Sequence, residues 1–174
     1  MHPSNRLSRL TAPLILLAAC GDAGPATSIS PSAAAQRTEQ PSLQLAACPS
    51  PSSRSASAVI GAHGGVISAG STVVFIPPHA VRSPTRFTVQ PLAGRTLQVR
   101  IVARGHHRFE FARPIAVMIG YAHCARQEFP RTASVWHIDD RTGAPLERMP
   151  TVNDSRNDTV GFLTVHLSTY AVAN

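Results

Sequence analysis

Residues 85–102, Thr85-Arg86-Phe87-Thr88-Val89-Gln90-Pro91-Leu92-Ala93-Gly94-Arg95-Thr96-Leu97-Gln98-Val99-Arg100-Ile101-Val102, decide the fold class. Phe87 and Val89 fall on one side of an extended chain and Arg86, Thr88 and Gln90 on the other. Beyond the Pro/Gly interruption, Leu97, Val99 and Ile101 again oppose Gln98 and Arg100. A period of two with β-branched and aromatic residues predicts strands that pack on one side and meet water on the other. Outward from this stretch, comparable short runs recur at 58–62, 66–68, 72–76, 108–111, 115–121, 133–138, 159–166 and 169–173. With 85–90 and 97–102 they make ten candidate strands between turn signals, the spacing of an all-β, antiparallel β-sandwich. Gly64-Gly65 predicts a tight hairpin between the first two runs, and Pro77-Pro78 ends the third.

The composition agrees with that reading. Fifteen prolines and eleven glycines in 174 residues, with very few Lys, Glu or Gln, disfavour long helices. A hydrophobic content of 43% excludes both a multi-span membrane protein and a wholly disordered chain. All 16 basic residues are arginine, and the net charge is +7. The excess is local: seven arginines against Glu110 lie between Arg82 and Arg113, whereas six acids outnumber four arginines between Glu128 and Asp158. Alternation puts Arg86 and Arg100 on the wet side, which predicts a basic sheet face able to meet an anionic ligand or an acidic partner. Nucleic acid is not expected, because the arginines are not interleaved with aromatics that could stack on bases.

The front of the chain has a different character. Arg6 and Arg9 precede an apolar run from Leu10 to Ala19, the order of a secretory signal peptide and too short to span a bilayer. The run closes on Leu17-Ala18-Ala19-Cys20-Gly21, which resembles the lipobox of bacterial lipoproteins. That resemblance implies that Cys20 is acylated and becomes the mature N-terminus, and Gly21 after it favours the outer over the inner membrane. The predicted organisation is thus a signal peptide at 1–19, a lipidated Cys20 with a flexible linker at 20–57, and a folded body at 58–174. Ala, Pro and Ser dominate 21–57, and such a composition buries too little apolar surface to offset chain ordering. A coil from Cys20 to Cys48 has an r.m.s. length of roughly 30 Å. With Cys20 acylated, Cys48 and Cys124 remain as an even pair in an exported chain, and a disulfide is predicted, two free thiols being the alternative.

Three segments of the body carry a second resemblance: Gly64-Gly65-Val66 with 73–81 and 84–89, then Phe109-Glu110-Phe111-Ala112-Arg113-Pro114 with 115–121, then His166-Leu167-Ser168-Thr169-Tyr170-Ala171-Val172. In this order they resemble the ZU-five domain of ankyrins, zona-occludens proteins and netrin receptors, with His79 where that family usually has glycine. The resemblance implies a β-sandwich without cofactor that serves as a non-catalytic structural or protein-interaction module, here held at the membrane through its N-terminal lipid.

Two other chemistries are weighed against it. His166-Leu167-Ser168 resembles the His-X-Ser/Thr step of self-cleaving domains, in which Ser168 Oγ attacks the Leu167 carbonyl with His166 as general base; the reaction also requires a strained bond. The plainer expectation is that His166 and Ser168 hydrogen-bond at a strand kink. No metal site is expected: His106 and His107 point to opposite faces of a strand, and His137 and Asp139 share a face with no third ligand at a recognisable spacing. Trp136 is expected in or beside the core with its N–H bonded, rather than as a sugar platform.

Overall fold

The structure, a computed structural model, describes residues 43–50, 54–124, 129 and 132–173, all within the unit Glu39–Asn174. The signal segment, Cys20 and most of the expected linker lie outside the described residues. The strands are β1 Ala47–Ser50, β2 Ala56–Ile60, β3 Gly65–Ala69, β4 Thr72–Ile76, β5 Thr85–Pro91, β6 Gly94–Thr96 and β7 Gln98–Ala103. They continue with β8 Glu110–Gly120, β9 Ser134–Ile138, β10 Pro145–Arg148, β11 Thr151–Asp154, β12 Thr159–His166 and β13 Thr169–Ala173. The fold is all-β, an antiparallel sandwich of a six-stranded sheet, β10-β9-β13-β7-β5-β2, and a five-stranded sheet, β11-β12-β8-β4-β3.

Alternation in β5 and β7 works as the sequence predicts: Phe87, Val89, Val99 and Ile101 are buried while Arg86, Gln90 and Val102 are exposed. Val74, Ile76, Ile115, Val117, Ile119, Val160 and Phe162 are buried likewise in the five-stranded sheet. Phe87 brings its ring to 5.1 Å from Phe109 and 5.4 Å from Phe111, so an aromatic cluster joins β5 to β8 and the segment preceding it. Offset and edge-on ring pairs of this kind add stability beyond their burial.

Several expectations are corrected. Gly64-Gly65 does not close a hairpin: β2 belongs to the six-stranded sheet and β3 to the five-stranded one, so the chain changes sheets there. Gly64 has φ +71°, and a Cβ on it would stand 2.3 Å from the Ile76 carbonyl oxygen, so a close backbone approach demands this glycine. The runs 108–111 and 115–121 are not separate strands; β8 is continuous through Pro114, and its ladder to β12 shifts register between Ile115↔Thr164 and Glu110↔His166. A proline without an N–H is accommodated at such an irregularity. β1, β6, β10 and β11 have three or four residues each and too little alternation to be recognised in the sequence.

The expected linker also gives way earlier than residue 57. Ala46 and Cys48 are buried, the Ala46 N–H donates to Val172 O at 2.8 Å, and β1 pairs with β6. Cys48 and Cys124 are disulfide-bonded with Cα atoms 4.9 Å apart, so this N-terminal segment is fastened to the turn after β8. The bridge closes 76 positions of chain.

Candidate functional site

Three surfaces carry the residues with chemical or binding potential. The first is the corner where β12 leaves the five-stranded sheet and β13 enters the six-stranded one, through Leu167 and Ser168. Tyr170, fully buried, returns its hydroxyl to this corner and donates to the His166 carbonyl oxygen at 2.6 Å, four residues upstream. A tyrosine hydroxyl bonded back to the upstream backbone at a sheet-to-sheet crossing is the arrangement called a tyrosine corner in β-sandwiches. The same oxygen lies 2.9 Å from Thr164 Oγ1 and 3.2 Å from His166 Nδ1. Burial pushes the Tyr170 phenol far above its ordinary range, so the hydroxyl keeps its proton.

This corner bears on the cleavage chemistry. His166 Nδ1 faces Tyr170 and its Nε2 faces Glu147 Oε2 at 3.4 Å, so neither ring nitrogen is turned to Ser168. The backbone there is tied down: Leu167 N–H donates to Phe109 O at 3.3 Å, and Ser168 O accepts from Ile101 N–H at 2.9 Å. Among the described residues, the non-glycine positions with left-handed backbone are His79 and Asp158, neither of them at the corner. The expected contact between His166 and Ser168 is thus replaced by one between His166 and Tyr170.

Around His166 the tertiary structure assembles what linear spacing could not display. His137 on β9 stands opposite Tyr170 on one side and Glu147 of β10 on the other. Its ring centroid lies 4.8 Å from that of His166, which arrives from the other sheet. The ligand-capable atoms of His137, Glu147 and His166 all fall within 4.8 Å of one another. The third group absent beside His137 in sequence is therefore supplied by β10 and β12. Partial burial, reinforced by the neighbouring His166, holds the His137 imidazole below its ordinary pKa and favours its neutral form. A shallow groove lined by His107, Phe109, Glu110 and Val165 opens onto this pair of histidines.

The second surface is the outer side of the six-stranded sheet. Arg86 and Arg100 both lie there, as alternation predicts, but they do not form one patch. Gln90 pairs with Arg100, whereas Arg86 neighbours Arg104, whose N–H donates to its carbonyl at 2.8 Å. The Thr88–Val102 pair intervenes, and the separation along the strands is roughly 13 Å. Arg100 is also engaged, its Nε donating to Thr169 Oγ1 at 3.1 Å and standing 3.9 Å from Asp140. Trp136 lies on this outer side too, half-buried, with Nε1–H donating to Ser134 Oγ at 3.1 Å.

The third surface was not foreseen. Register places Ser68, Val73, Met118, Gly161 and Val152 in one row across the outer side of the five-stranded sheet, and Val66, Phe75, Ala116 and Leu163 in the next. Val66, Phe75, Met118, Leu163 and Val152 are 43–73% exposed, and neither row contains a charge. The first row crosses the sheet over roughly 19 Å and the second over roughly 14 Å at ordinary strand spacing. A signal was present in the unbroken apolar runs Val73-Val74-Phe75-Ile76 and Ile115-Ala116-Val117-Met118-Ile119. Such runs belong to strands covered on both faces rather than wet on one. No family model and no curated protein matches this chain.

Proposed function

We propose that the chain is a lipid-anchored lipoprotein of the cell envelope whose ZU-five-like sandwich is a non-catalytic module for protein interaction. The observation that carries this reading is the uncharged apolar outer side of the five-stranded sheet around Phe75 and Met118. Contiguous apolar surface of this kind on a folded domain is used to receive a protein, a membrane or an apolar ligand, and a protein is the partner proposed here. The Cys48–Cys124 disulfide supports export, since such bonds persist in oxidising compartments. His79 lends weight to the ZU-five resemblance: its φ of 64° is a conformation that glycine, the usual residue there in that family, adopts without cost. Cys20 anchors the chain by its acyl groups, and the linker lets the sandwich stand away from the bilayer to reach its partner.

The test is site-specific photocrosslinking in intact cells, with the crosslinker at Phe75 or Met118 and a control at Arg86 on the opposite sheet. A discrete adduct from Phe75 and Met118 that Arg86 does not give, diminished by Leu163→Glu, is the expected result. Equal labelling from both sheets would overturn the interaction reading. Intact mass of the membrane-extracted protein checks the anchor: a chain beginning at Cys20 and heavier by its acyl groups is expected, and an unacylated N-terminus would overturn the lipidation.

A further inference from the structure

We propose that His137, Glu147 and His166 form a binding site for a divalent transition-metal ion of the Zn2+ type, joining the two sheets at one end of the sandwich. His137 and Glu147 come from the six-stranded sheet and His166 from the five-stranded one, so an ion held by all three would be a cross-sheet tie. Two imidazoles and a carboxylate are the nitrogen and oxygen donors such ions take, whereas Ca2+ and Mg2+ prefer oxygen alone.

The geometry is partly prepared. Tetrahedral ligands about 2.0–2.1 Å from an ion stand about 3.3–3.5 Å from one another. His166 Nε2 and Glu147 Oε2 are already 3.4 Å apart. The farthest separation within the trio is 4.8 Å, so roughly 1.5 Å of side-chain adjustment completes the set, small for the half-buried His137 and the exposed Glu147.

A supporting shell is also in place. The short bond from Tyr170 to the His166 carbonyl uses the phenol proton, which leaves the Tyr170 oxygen to accept from His166 Nδ1–H. That fixes the tautomer and turns the Nε2 lone pair toward Glu147. Locking the distal ring nitrogen by a hydrogen bond is how proteins orient metal-binding histidines. Lone pair and carboxylate then face each other across 3.4 Å, an arrangement that calls for a cation between them. A proton on His166 would satisfy that pair alone, whereas a metal ion also uses His137. The fourth position opens to the groove bearing His107, Arg108 and Glu110, where water or another ligand completes the shell.

The experiment titrates Zn2+ into the chelator-stripped full chain with its disulfide intact, following heat and thermal midpoint. One ion per chain is expected, with the midpoint raised by roughly 10 °C at a hundredfold excess over Kd, and no rise with Ca2+. His137→Ala is expected to weaken binding by roughly a hundredfold and Glu147→Gln by roughly tenfold, while the metal-free midpoint of Glu147→Gln stays within about 2 °C of the parent. Binding and a midpoint rise that persist in both variants would assign the ion to other surface histidines and overturn the site. So would the lack of stoichiometric binding, which would leave a His166–Glu147 ion pair.

Discussion

Tyr170→Phe isolates the hydroxyl that holds the β12–β13 corner. The ring is fully buried and its centroid lies 4.7 Å from that of Phe162, a contact that phenylalanine keeps. What is lost is the 2.6 Å bond to the His166 carbonyl and the contacts to Thr164 Oγ1 and His166 Nδ1. The carbonyl retains Thr164 Oγ1 as a donor at 3.1 Å, and the His166 side chain is 33% exposed, so water reaches its ring. The cost is therefore one net buried hydrogen bond and part of a second, about 1.5 kcal/mol, rather than the ~3–5 kcal/mol of truncating a whole aromatic side chain. For a domain of this size the thermal midpoint falls by roughly 6 °C. Urea titration should show the loss with an unchanged slope, since the exposed surface is the same. Thr164→Val and the double variant complete a cycle, and a coupling of about 0.5–1.5 kcal/mol is expected because both hydroxyls serve the same carbonyl. Strict additivity, or a cost below about 0.5 kcal/mol for Tyr170→Phe, would refute the shared network.

Removing the bridge with Cys48→Ser and Cys124→Ser should lower unfolding free energy by about 4.5 kcal/mol in the chain-entropy picture, measured by urea melts against the oxidised parent; a loss below about 1 kcal/mol would mean that the segment from Leu43 is held by its other contacts. His79→Gly and Gly64→Ala should shift stability in opposite directions. The first relieves a left-handed conformation and gains about 0.5–1 kcal/mol after glycine's own entropy cost, while the second drives a Cβ into the Ile76 carbonyl and should cost roughly 3 kcal/mol or more; equal signs in paired thermal melts would contradict the backbone geometry. Phe75→Glu on the outer sheet face should cost only about 1 kcal/mol, because the ring is 45% exposed, yet abolish the adduct formed from a crosslinker at Met118, and a loss of roughly 3 kcal/mol or more would place Phe75 in the core instead. Denaturing mass spectrometry of the body should give a single species retaining Ser168 to Asn174, because His166 is committed to Tyr170 and Glu147; a released C-terminal peptide would overturn that.

The period-two runs 85–90 and 97–102 were sufficient to place Phe87, Val89, Val99 and Ile101 in the core, because alternation across a strand is a local property of the backbone. The wet-side positions of Arg86 and Arg100 follow for the same reason. The pairing of Cys48 with Cys124 was legible from the count of thiols once the front of the chain is read as a lipobox that takes up Cys20. Sheet membership was not legible: Gly64-Gly65 reads as a hairpin locally, and only the packing of β2 and β3 into different sheets makes it a crossing. The apolar rows through Phe75 and Met118 likewise arise from register between strands that are distant in sequence. His137, Glu147 and His166 span two sheets, and no spacing along the chain announces them. Local chemistry set which residues turn inward and which outward, whereas only the fold decided which of them meet, because strand pairing and sheet packing join positions whose separation in sequence carries no pattern.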